Sequence, residues 1–85
     1  MQPEFEAILA ADQPELEKVT RAFQWIIAEH TTHSRHEIEL LRALGDQENL
    51  VKEQIKLAAI EHALSIYAFC YQRATGRRLG NEQSR

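Results

Sequence analysis

The stretch "HTTHSRHE", residues 30–37, decides the fold. Thr31 and Thr32 are poor helix formers, and Ser34 with Glu37 three residues on has the spacing of a capping box. A break here gives two short helices before Gly45, whereas continuity gives one long helix. Periodicity favours continuity. At about 100° per residue, Leu16, Val19, Phe23, Ile26 and Ile27 form one stripe. Ile38, Leu41 and Leu44 return to that stripe with no shift of phase, which an independent helix would have no reason to do. A single helix over residues 14–44 is therefore expected, with 31–34 as its weakest turn.

Working outward, the helix breakers are few and widely spaced: Pro3, Pro14, Gly45, Gly76 and Gly80. Pro3 suits the first turn of a short helix over about 3–11. Asp12 and Glu15 have capping-box spacing for the start of the second helix. Gly45 is a helix stop and Asp46 a cap for a third helix over about 46–75, which Gly76 ends. Two long helices joined so tightly must fold back antiparallel. The expectation is an all-α chain with one helical domain over 1–76. A polar, basic and flexible tail follows over 77–85.

The third helix has one apolar stripe too many for a simple hairpin. Leu50, Leu57, Ile60, Leu64, Tyr67 and Tyr71 supply the face a partner helix needs. Val51, Ile55, Ala59, Ile66, Phe69 and Cys70 make a second face, more than a right angle away. A helix apolar on opposite sides is buried on both. The short first helix can cover part of that second face. A second subunit is its natural cover, and a helical-bundle homodimer or higher oligomer is expected. Trp25 lies about 180° from the core stripe of the second helix, where it anchors a partner or lies under the first helix. Trp25, Ile55, Ile66 and Phe69 are the expected partner-binding residues.

Composition narrows the function. A net charge of −3 is unlike the basic footprint of a dedicated nucleic-acid binder. The single Cys70 rules out an intramolecular disulfide and fits a cytoplasmic chain. The opening Met1–Glu6 lacks the basic and apolar regions of a secretory signal. No apolar run reaches the ~18 residues that span a bilayer, so no membrane role is expected.

Chemical motifs are scarce. His30, His33 and His36 recur every three residues, yet on one helix His30 and His36 diverge by about 120°, which is poor for a metal. Solvated or seam histidines are expected, with no metal and no cofactor. Glu-x-x-His pairs, phosphate loops and nucleophile elbows are absent. Cys70, on an apolar face, reads as a small core residue. Enzymatic function is not expected.

"FCYQRATGRRLG", residues 69–80, passes abruptly from aromatic to basic. Arg73, Arg77 and Arg78 suit the negative end of the third helix. With Tyr67 and Tyr71 they also make a candidate site for an anion or nucleotide at a subunit boundary. The leading expectation is a non-enzymatic helical adaptor, inhibitor or small chaperone, oligomeric and bound to another protein. Alternatives are a sequestering oligomer for a small anionic ligand and a nucleic-acid-linked regulator with a basic tail. The Ala/Ile/Tyr-rich "AAIEHALSIYAFCY", residues 58–71, is similar to the last helix of the small co-chaperones of type III secretion needle subunits. That likeness covers a minor part of the chain, which departs from it by its first helix and its histidine run.

Overall fold

The computed structural model describes residues 2–79. Three helices follow one another: α1 (Pro3–Ala10), α2 (Glu15–Leu44) and α3 (Gln47–Thr75). The described residues contain no strand. Residues 30–37 are helical throughout, so α2 is one unbroken helix of 30 residues. Ser34, the candidate cap of a second helix, has another task. It is fully buried, and its hydroxyl donates to Glu53 Oε2 on α3 at 2.7 Å.

The helices pair antiparallel, as three contacts along the hairpin show. Ser34 meets Glu53, Thr20 Oγ1 lies 2.7 Å from Tyr67 Oη, and Tyr71 Oη donates to Glu17 at 3.0 Å. Descending α2 thus matches ascending α3. The seam of α3 runs through Leu50, Glu53, Leu57, Ile60, Leu64, Tyr67 and Tyr71, all buried or half-buried. Its steps of three and four are those of a coiled coil. On α2 the matching buried or half-buried positions are Thr20, Gln24, Ile27, Thr31, Ser34, Ile38 and Leu41.

That seam corrects the expected core stripe of α2. Ile27, Ile38 and Leu41 do face α3, and Phe23 stacks on Tyr67 with ring centroids 4.5 Å apart. Leu16, Val19, Ile26 and Leu44 are exposed instead, Leu44 by 78%. The small hydroxyl residues Thr20 and Ser34 occupy the seam because they let the helices approach and can bond to Tyr67 and Glu53.

Caps account for the element limits. Gly45 takes the left-handed conformation at φ 74°. Its N–H bonds Arg42 O, and the N–H of Asp46 bonds Leu41 O, the paired bonds of a Schellman stop. Asp46 then caps α3, accepting the Asn49 N–H at 3.3 Å and the Asn49 side-chain amide at 2.8 Å. The two bonds from Asn49 hold the Asp46 carboxyl below its usual range. Asn49 stands at the capping-box position without closing the box, since its amide donates to the Asp46 carboxylate and the Asp46 N–H bonds Leu41 O. The expected Asp12–Glu15 box does not form: Pro14 stands at the cap of α2, with no side-chain bond. The first bond of α2 runs from Lys18 N–H to Pro14 O at 3.1 Å.

α1 packs on α2 alone, with Phe5 tilted against Trp25 at 5.6 Å. It therefore leaves the second face of α3 bare, contrary to the expected partial cover. At the other end Gly76, again at φ 74°, closes α3 with a bond to Gln72 O. Thr75 Oγ1 donates to Tyr71 O and accepts the Arg77 N–H, which turns the chain back. Leu79 ends up 3% exposed against Ala68 and Tyr71. Packing thus continues past residue 76, and the rest of the expected tail, 80–85, lies outside the described residues. No described helix is long and apolar enough to cross a membrane.

Candidate functional site

The aromatic and arginine residues at the end of α3 are largely engaged within the chain. Tyr67 lies in the seam, stacked on Phe23 and bonded to Thr20. Tyr71 is buried, and its hydroxyl shares Glu17 Oε2 with the Arg77 guanidinium, each at 3.0 Å. Arg77 also lies 5.8 Å from the Tyr71 ring centroid. Arg73 lies over Phe69 at 5.9 Å, on the outer side of α3. Arg78 lines a shallow cavity of about 310 Å³ with Phe69, Gln72 and Leu79.

The structure therefore brings Tyr71 and Arg77 together but supplies the anion itself. Glu17 neutralises the guanidinium that a ligand would need, so an incoming anion competes with an ion pair already made. Glu17 is the residue that sequence reasoning missed. It sits 60 positions from Arg77, and nothing local marks the pairing.

Burial, and after it the bond to the Glu17 carboxylate, raises the Tyr71 phenol above its usual value of 10.0. A raised phenol contributes stability that is fully present below pH 10.0 and is lost as the pH climbs through the folded value. In Glu17→Gln the raised tyrosine transition should move down part of the way, because burial persists without the anionic acceptor. Phenolate absorbance against pH reads this directly, and an unmoved transition would remove Glu17 as a cause.

His30, His33 and His36 are exposed on α2. Among the described residues no three His, Cys, Asp or Glu side chains are grouped to hold one ion. Cys70 is exposed rather than a core residue, at the rim of an open apolar cleft that it lines with Leu16 of α2, Tyr67 and Tyr71.

The remaining feature is apolar surface. On the outer face of α3, Val51, Ile55, Ile66 and Phe69 are exposed, Ile55 by 65% and Phe69 by 63%. On α2, Val19, Ile26, Leu40 and Leu44 are exposed along a flank roughly 100–180° round the helix from Arg21 and Ala28. Arg21, Ala28 and Trp25 line a cavity with Ile8 of α1, so α1 sits away from this flank. Trp25, for which both a partner contact and cover by the first helix are expectations, is half-buried with Phe5 of α1 tilted against its ring. Ile55, Ile66 and Phe69 keep the exposure that a partner site requires.

No family model, curated protein or solved structure matches this chain.

Proposed function

We propose that the chain is a non-enzymatic helical interaction module, a homodimer or higher oligomer that holds another protein as an adaptor, inhibitor or small chaperone. The observation that carries this is the uncovered apolar side of α3, directly behind its seam with α2. Burying a large aliphatic or aromatic side chain is worth about 1.5–3 kcal/mol. Among the described residues ten such side chains are exposed and only six apolar residues are buried, two of them alanines. A contiguous exposed apolar surface on a small domain marks an interaction site. Two separate faces, the flank of α2 and the back of α3, allow one to serve self-association and the other a different protein.

Light scattering at micromolar concentration tests the oligomer. The expected mass is a multiple of the 9.8 kDa chain. A clean monomer would refute the reading, since both faces would then be stable in water.

A further inference from the structure

Resting on the reading that this chain holds another protein, we infer that residues 76–79 are a self-ligand seated in a docking groove. The groove lies at the Tyr71 end of the hairpin. The partner it receives is a peptide segment that carries an arginine two residues before a leucine.

The observation is where the tightest apolar burial falls. Leu79 is 3% exposed, less than any other apolar residue described, yet it lies outside all three helices. The floor beneath it is helical, made by Ala68 and Tyr71 with Leu64 and Tyr67 packed against them, all on α3. Two residues earlier, the Arg77 guanidinium donates to Glu17 of α2, the carboxylate that also accepts the Tyr71 hydroxyl. Floor and acceptor thus belong to two helices that the hairpin already holds together, and neither belongs to the segment they grip. Such a site stays formed when the segment leaves. Glu17, which opposes an anionic ligand, is here the reader of a partner's arginine.

The hold is of a releasable kind. A single turn at Gly76 and Thr75 joins the segment to α3. The Arg77 side chain is 61% exposed, and ion pairs open to water contribute little, so Leu79 supplies most of the grip. Nor does the segment fill the groove. Beside Leu79 a cavity of about 310 Å³ remains, walled by Ser65, Phe69 and Gln72. A partner segment with an apolar residue next to its leucine makes the same two contacts and also covers Phe69.

The tether acts in the opposite sense. A segment held this close to its site competes at an effective concentration on the order of millimolar. Residues 76–79 therefore set a threshold. Segments with the arginine and leucine alone are kept out, and those that also reach Phe69 are admitted.

The probe is the chain's own segment, residues 74–79, as a free amidated peptide. It is titrated to millimolar concentration into the full chain, and the amide resonances of Leu64 and Ala68 are followed. Arg77→Ala with Leu79→Ser opens the groove without altering a helix, since α3 ends at Thr75. The opened chain should bind the peptide roughly tenfold or more tightly than the parent does. Adding Glu17→Gln should weaken that binding roughly two- to fivefold. A peptide with serine in place of its leucine should not bind. Unmoved resonances in the opened chain, or equal binding by parent and opened chain, overturn the inference. So does binding that ignores Glu17→Gln or the serine peptide. Loss of helix by circular dichroism on opening overturns it too, because residues 76–79 would then be part of the fold. Light scattering is read separately. An oligomer whose opened form ignores the peptide overturns the groove alone, and a monomer that binds it overturns the oligomeric reading alone.

Discussion

Thr32→Pro is expected to destabilise the chain by about 3 kcal/mol or more. Residue 32 lies in the middle of the unbroken α2, whose span is Glu15–Leu44. Proline there removes an N–H from the helical ladder and drives its ring into the carbonyl one turn earlier. It also pushes residue 31 out of the helical region, and Thr31 is half-buried in the seam with α3. The damage therefore reaches the packing on both sides of the turn. For a domain of this size each kcal/mol moves the melting temperature by roughly 4–8 °C, so a fall of some 12 °C or more should be seen by circular dichroism. Thr32→Ala should be neutral or slightly stabilising, since Thr32 is exposed and alanine is the better helix former. Equal melting of the proline variant and the parent would mean that residues 31–34 are not helical.

Ser34→Leu is the second large expected effect, about 3 kcal/mol. Ser34 has no exposed surface and bonds to Glu53 across the hairpin. A leucine must force the helices apart, and overpacking of this kind costs about 1–3 kcal/mol. It also strips a carboxylate that is only 14% exposed of its hydroxyl donor. Leaving a buried polar group unsatisfied costs about 1–3 kcal/mol more. Lys56, 3.8 Å from the same oxygen, offsets part of that loss from the protein's edge. Ser34→Ala separates the two contributions, because it removes the bond and keeps the space. Chemical denaturation should rank parent, alanine and leucine in descending stability. A leucine variant as stable as the alanine one would show that the helices are not closely packed at this point.

These positions also show why some of the fold was legible in the sequence and some was not. The three helices could be read because Pro14, Gly45 and Gly76 punctuate the chain and long breaker-free runs separate them. The seam of α3 could be read because Leu50, Leu57, Leu64 and Tyr71 are large, apolar and seven residues apart. The seam of α2 could not. Its contacts at residues 20, 24, 31 and 34 are Thr, Gln, Thr and Ser, while Val19, Ile26 and Leu44 lie one residue round. A search for apolar periodicity settles on that neighbouring stripe. The expectation that α1 covers α3 failed for a related reason. Trp25 draws Phe5 to the far side of α2, and pattern alone cannot say which large aromatic a short helix will choose. The Glu17 cluster was illegible because it exists only once the chain turns back beyond Gly76.

The tight turn at Gly45 and Asp46 also sets an order of events. Contacts across the hairpin close progressively larger loops: Ser34 and Glu53 are 19 positions apart, Thr20 and Tyr67 are 47, and Glu17 and Arg77 are 60. The entropy of closing each loop grows with its length, but once the turn is made each further contact adds only a short segment. The hairpin accordingly zips from the turn outward. Substitutions near Leu41 and Leu50 then act on the folding rate, and those near Glu17, Tyr71 and Leu79 act on the unfolding rate. The end of the hairpin that carries Leu79 is the last to close and the first to open.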